Sequence, residues 1–494
     1  MQCPPPSYVG LRRVLSPRLP GVLLSLLLCT SAQAQVPAEA ATGDGDQGNV
    51  QEASTPIIAR GKGLSITRAE FLPILLDRFG MTSSGRDLLR LLLSAKVLDE
   101  VSREEGLVIS AEEVTRRWRE LDADVRESGG EGGIDAEIAR RGIDLEKFRD
   151  YLRLQLVQEE LTRRALKLDP GAEVSPDSQE IWLGETLARR GHEDLPPPWS
   201  DGIVSRCGGV SVSAEELGSE LLANLESVDI RETAWHMLLL HSLERRLPDL
   251  SAEARTEAMG DELERRRLKA EAGAASQGQM VSFQDLLRAR GTSLDALGRD
   301  PSVAIAALTR LAVDRSFDAA GLKRAYGAER DFFDGRFGVA LQTHAIFLLA
   351  AETKNDLIKL TFVEADAELN KVKDDLQDVD AFRAYAMRNS QDPASQANQG
   401  ALGWISRLDP RFPDGIRTPL FRFYDELPAD GKTVAGTGVV IGPVRFPTGS
   451  ALLHVSAIRP VPGWKDMQVI VHEELRRRLI EELMPVGEIE LVVR

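Results

Sequence analysis

The sequence predicts a mostly helical α+β protein: two copies of one helical domain, then one compact α+β domain. Three observations carry that prediction. A block reading strand, Gly turn, strand and helix start occurs twice, as "IIARGKGLSITRAEF" (57–71) and "IVSRCGGVSVSAEEL" (203–217). Each occurrence leads into long amphipathic helices of the kind that bury one wide stripe. The last third changes order, to strand, helices, short helix, strand and strand, the pattern of an α+β domain. Hydrophobic residues make up 43% and charged residues 28%, as in ordinary globular chains, and the 5% aromatic content suits helices better than a β-sandwich.

From the N-terminus, Arg12, Arg13 and Arg18 precede an apolar run, "GVLLSLLLC" (21–29), and a small-x-small site, "AQA" (32–34). This pattern predicts a secretory signal peptide over 1–34, cut after Ala34. The run is far shorter than the ~20 residues a spanning helix needs, so no integral membrane segment is expected after cleavage. The mature chain is expected in the periplasm or cell envelope. Residues 35–55 are polar and rich in Gly, Ala and acids, and read as a disordered leader. Cleavage leaves one cysteine, Cys207, which cannot form an internal disulfide and reads as filler at a turn. The net charge of −16 opposes nucleic acid as a partner, because binding it needs a basic face.

The helical copies are expected over 56–168 and 202–315, with a linker at 169–201. In each, a hydroxyl residue precedes a carboxylate by three, Thr67 with Glu70 and Ser213 with Glu216, the spacing of a capping box. Further blocks recur in the same order. "GLVISAEEVTRRW" (106–118) returns as "LPDLSAEARTEAM" (247–259), and "ARRGIDLEKF" (139–148) as "RARGTSLDAL" (288–297). Two such copies are a duplication, not a solenoid. His236 and His241 are five apart, so they do not share a helical face as a metal pair would, and no metal or cofactor site is expected. The strand-turn-strand followed by "SAKVLDEVSREEGLVISAEEV" (94–114) resembles the N-terminal chaperone domain of SurA-type, parvulin-containing export chaperones. The resemblance implies a helical cradle for unfolded polypeptide.

After a connecting helix at 316–335, residues 336–462 resemble a PpiC-type parvulin, a peptidyl-prolyl cis-trans isomerase domain. The resemblance rests on "THAIFL" (343–348), "NSQDPAS" (389–395), "QGALGW" (399–404), "IGPV" (441–444) and "TGSALLHV" (448–455), in the family's order. It implies that His344 is the first-strand histidine and that Asp392 stands at the family's Cys-or-Asp position. It also implies a proline pocket from Leu402, Phe412, Ile416 and Phe421. An X–Pro bond turns over a barrier of about 18–20 kcal/mol, and a parvulin lowers it with shape and electrostatics and no cofactor. The sequence departs from the family at several places. The second histidine's position is Ala451, the residue before it is Ser450, and Gln399 replaces the first Gly of a Gly pair. His454 lies three residues beyond Ala451, and strand alternation sends the two to opposite faces.

The C-terminal segment 463–494 reads as an amphipathic helix with a stripe of Met467, Ile470, Val471 and Leu475, then a strand. Resembling chaperones return such a segment to complete the N-terminal domain, and either copy could receive it here. His472 sits among acids and reads as solvated. These readings point to an exported folding factor acting on unfolded or nascent polypeptides and their X–Pro segments. A non-catalytic holdase that keeps the parvulin fold, or a cell-envelope scaffold, are the alternatives.

Overall fold

The computed structural model describes residues 56–140, 143–199, 201–428 and 438–492. The expected signal peptide and leader lie outside the described residues. Two compact units emerge, one ending at Leu308 and resuming at Glu482, the other Thr309–Glu481. The architecture is mostly helical α+β, as the sequence predicts, and among the described residues no helix is long and apolar enough to cross a membrane.

In the first unit, copy one runs through β1 (Ile57–Gly61), β2 (Leu64–Thr67), α1 (Arg68–Phe79), α2 (Ser83–Glu104), α3 (Ala111–Glu127), α4 (Gly133–Arg140) and α5 (Leu145–Ala165). It is followed by α6 (Pro176–Arg189) and β3 (Glu193–Asp194). Copy two runs through β4 (Ile203–Cys207), β5 (Val210–Ser213), α7 (Ala214–Asn224), α8 (Ser227–Arg246), α9 (Ala252–Ser276), α10 (Phe283–Ala289) and α11 (Leu294–Arg299). Both expected capping boxes are formed: Thr67 and Glu70 start α1, and Ser213 and Glu216 start α7. Residues 169–201, expected as a linker, hold α6 and β3 instead. Trp182, Leu183 and Leu187 of α6 sit in the core, which the short run between polar stretches did not advertise.

The two copies exchange their hairpins. The copy-two hairpin packs on copy one's α2: Val204, Cys207 and Val212 share one core with Leu88, Leu93, Val97 and Val101. The copy-one hairpin packs on copy two's α8, with Gly61 against Leu238. Helices α1 and α7 meet between them, and Gly218 faces Leu72 so closely that a Cβ there would come within 3.3 Å of the Leu72 Cβ. Reciprocal ion pairs reinforce the exchange. Arg78 grips Asp300 through two nitrogens and also donates to Thr233, while Arg299 grips Asp77.

Each hairpin receives a third strand from a segment that follows a helix. β3 pairs with β4, and the C-terminal β11 (Glu490–Leu491) pairs with β1. The copy that receives the C-terminus is thus copy one by strand pairing and copy two by helix contact. Trp235 Nε1 on α8 donates to the Met484 carbonyl at 2.9 Å, and Arg231 donates to that of Ile489 at 3.0 Å.

The second unit holds the end of α12 (Pro301–Ser316), then α13 (Ala319–Ala328) and α14 (Arg330–Phe337), two helices where one connecting helix was expected. Next come β6 (Ala340–Ala351), β7 (Leu360–Thr361), α15 (Phe362–Lys373), α16 (Val379–Asn389), α17 (Pro393–Ala397) and β8 (Ala401–Ser406). Then follow α18 (Asp414–Glu426), β9 (Val439–Phe446), β10 (Gly449–Arg459) and most of α19 (Trp464–Leu483). The sheet runs β7–β6–β10–β9, with β8 also on β6. The α19 stripe of Met467, Ile470, Val471 and Leu475 packs with Leu322 and Phe333. His472, expected in solvent, is buried, and its Nε2 lies 3.0 Å from Asp314 Oδ1. The acidic neighbours in sequence hid this, because the partner comes from another helix.

Leu238 is fully buried beneath the exchanged hairpin. Truncation to Ala should cost about 2–5 kcal/mol, read by urea unfolding. In amide exchange, protection should fall across 57–67 and hold across 203–213. The reverse pattern would contradict the exchange.

Candidate functional site

Strands β6 and β10 run antiparallel down the centre of the second unit, and their register fixes which side chains share a face. Ala451 stands opposite Phe347, and His454 stands opposite His344. Three residues separate the members of each strand, an odd number, so the two pairs point to opposite sides of the sheet. A register shift does occur beside Ala451, but it lies in the pairing with β9, where the Gly442–Pro443 segment takes up the extra residue. The pairing with β6 stays continuous from Gly449 to Val455.

One face of the sheet packs on α18. Ala345, Ala451, Leu453 and Val455 form a core there with Ile416, Leu420 and Phe421. Phe347, Phe446, Leu402 and Phe412 pack against that core while partly buried. The Phe347 and Phe446 rings meet edge to face, with centroids 5.4 Å apart. The four expected proline-pocket residues, Leu402, Phe412, Ile416 and Phe421, therefore converge on one apolar cluster, and the central position of its floor is the Phe347–Ala451 pair.

A strap of backbone edges this cluster. Phe347 donates its N–H to Ser390 Oγ (3.1 Å), and its carbonyl accepts from the Gln391 N–H (2.8 Å). Gln391 Oε1 accepts from the Leu349 N–H (2.8 Å). Ser390 Oγ is in turn 2.6 Å from Ser395 Oγ. Asp392 follows directly. Its Oδ2 accepts from the Ser395 N–H (2.7 Å) and so caps α17, whose first residue is Pro393. Gln399 adopts φ 55, the left-handed conformation that a glycine takes without strain. Gly400 then passes so close to β6 that a Cβ would lie 2.8 Å from the Ala345 carbonyl oxygen.

His344, the first-strand histidine by resemblance, lies on the other face of the sheet. Its surroundings are Ile346, Leu348 and Leu452 of the sheet and Phe382 and Ala386 of α16. The His344 and His454 rings stand 6.3 Å apart, edge to face. Arg383 Nε donates to His344 Nε2 at 3.1 Å. A guanidinium has no lone pair to offer, so His344 carries its proton on Nδ1. His454 Nε2 lies 2.9 Å from the Gln377 carbonyl and must be the donor, so its Nδ1 is bare. Burial, then the Arg383 charge, then His454 push the His344 pKa down to about 4. An unfolded histidine takes a proton near pH ~6.5. The folded form keeps His344 neutral, so its contribution to stability is full above that pH and is lost as the pH falls toward about 4.

The family motif singles out His344, and Ser390 lies within the matched "NSQDPAS" block. Phe347 and Arg383 are not marked in the sequence, because the register of β6 on β10 and the packing of α16 on the sheet bring them to these places. Ser390 is buried and satisfies the Phe347 N–H. Ser390→Ala should therefore leave that donor unpaired and cost about 1–3 kcal/mol, measured by urea unfolding of the full chain. Unchanged stability would remove the strap from the account.

Comparison with known proteins follows the same geometry. Residues 348–456 match the family model described as Rotamase, the PPIC-type PPIASE domain. The matched stretch begins just after Phe347 and leaves His344 outside. The chain thus carries a PPIC-type domain, as the motif order in its last third predicts. No curated protein matches the chain. Among solved structures, the peptidylprolyl isomerase PrsA of Bacillus anthracis is 14% identical, with 52% of this chain and 99% of that chain covered and a TM-score of 0.26. A structure described with the SurA-like chaperones PEB4 and Cj1289 of Campylobacter jejuni is 16% identical, with 53% and 90% covered and a TM-score of 0.20. A PpiC-type peptidyl-prolyl cis-trans isomerase domain is 22% identical, with 26% and 96% covered and a TM-score of 0.19.

Proposed function

We propose that this chain is an exported folding factor that holds unfolded polypeptide, and that its PPIC-type domain grips proline-containing segments on the α18 face with little or no rotamase catalysis. The observation that carries the reading is the Phe347–Ala451 pair. It occupies the floor of the apolar cluster of Leu402, Phe412, Ile416 and Phe421. The partly buried Phe347, Leu402 and Phe412 give that surface the apolar contact a proline ring needs. A parvulin's linked histidines, by the family resemblance, would share this floor. Here the only two histidines of the sheet lie on the opposite face. Export is supported by the Arg-flanked apolar run and small-residue site of residues 1–34.

Catalysis through Asp392 is the second reading. Its support is that the strap brings Asp392 next in sequence to Gln391, which bonds the Phe347 carbonyl. The two readings separate in one experiment on the full chain. Aggregation of a chemically unfolded client and cis-trans interconversion of a prolyl tetrapeptide are followed in parallel. The holding reading expects slowed aggregation and an interconversion rate close to that without protein. It further expects Phe347→His with Ala451→His to raise the rate at least tenfold. A wild-type rate well above background that Asp392→Ala abolishes would establish catalysis and overturn the holding reading.

A further inference from the structure

We propose that His344 and His454 form an acid-released latch that holds α16, and with it the Ser390–Gln391 strap, against the sheet. Both rings are at least 98% buried, and on each the Nδ1 atom has no hydrogen-bond partner among the described residues. The tautomers follow from their other contacts: His344 accepts from Arg383, and His454 donates to Gln377. Both contacts run from the sheet to α16 or the turn before it, and the one that accepts from Arg383 holds only while His344 is neutral.

The charges around the pair offer an added proton no carboxylate. From α16 comes the Arg383 guanidinium, whose Nη1 lies 3.5 Å from the exposed Asp380 carboxylate. Asp378, at the start of α16, is engaged by the N–H groups of Asp380 and Ala381. From the preceding turn comes only the Gln377 carbonyl. From β8 the neighbours of His344 and Thr343 are Ala401 and Gly403, and from β9 the neighbour of His454 is Val440, none of them charged. On α15, Lys373 is bound to the Gly442 carbonyl. A proton added to His344 must enter at Nε2, the atom that accepts from Arg383. That bond is then lost, and two cations face each other. This places charge between sheet and helix, and release of α16 lets water reach it.

The consequence for the site follows from chain continuity. α16 ends at Asn389, and Ser390 and Gln391 supply the hydrogen bonds that edge Phe347. Release of α16 loosens that strap and with it the apolar cluster. This last link rests on the proposed holding function, while the latch itself does not.

Amide hydrogen exchange on the full chain at pH 7 and pH 5, each normalised to its intrinsic exchange rate, tests the latch. The expected result is at least a tenfold loss of protection across 379–391 at pH 5, with 414–426 on α18 unchanged. His344→Gln can still accept from Arg383 and cannot titrate, and it should keep its protection at pH 5. Undiminished protection of wild type at pH 5, or equal losses in wild type and His344→Gln, would overturn the latch. Should the variant lack protection already at pH 7, the wild-type comparison of 379–391 with 414–426 decides alone. Binding of a proline-containing peptide, measured at both pH values, separates the two claims. Binding lost while protection persists counts against the latch only. Protection lost while binding persists counts against its link to the site.

Discussion

Everything in the second unit depends on the register between β6 and β10. Seven consecutive pairings from Gly449 to Val455, and three more beyond one irregularity, tie the strands together, so the faces around the site are decided at once. A slip of β10 by one residue against β6 would send Ala451 to the α16 side and bring His454 beneath α18, splitting both pairs. The register resists such a slip because both faces are buried. Ala345, Leu453 and Val455 fill one side and Ile346, Leu348 and Leu452 the other. The same constraint separates two chemistries within one sheet: an apolar cluster under α18, and two buried imidazoles under α16 with the part-exposed Arg383 guanidinium at their edge.

The first unit rests on a different constraint, mutual completion. Neither hairpin packs mainly on the long helix of its own copy, and each sheet needs a third strand from elsewhere in the chain. The bidentate pairs Arg78–Asp300 and Arg299–Asp77 add direction to an interface that also carries the Lys96–Glu216 and Lys147–Glu220 pairs. The largely buried Arg78–Asp300 pair contributes chiefly to specificity, since burying two charges offsets much of their attraction.

Much of this was legible in the sequence. The repeat, its capping boxes and the order of motifs in the last third are local signals, and they were read from residues such as Thr67, Glu70, Ser213 and Glu216. The α19 stripe was equally plain. Hairpin exchange was not legible, because "IIARGKGLSIT" and "IVSRCGGVSVS" have nearly the same local preferences and only tertiary packing decides which helix each one meets. The burial of His472 and the helix within 169–201 were hidden for the same reason. The site was half legible. Leu402, Phe412, Ile416 and Phe421 meet on one cluster, whereas the side of the sheet that His344 takes depends on a strand register that the sequence does not display.

The most direct test of the account is where a proline-containing peptide lands. Methyl-labelled full-length protein, titrated with such a peptide and followed by nuclear magnetic resonance, reports each face separately. The account predicts shifts of the Ala345, Ala451 and Ile416 methyls and none at Ile346, Ala386 or Leu452. Shifts confined to Ile346, Ala386 and Leu452 would place the peptide beside His344 and His454 and contradict it.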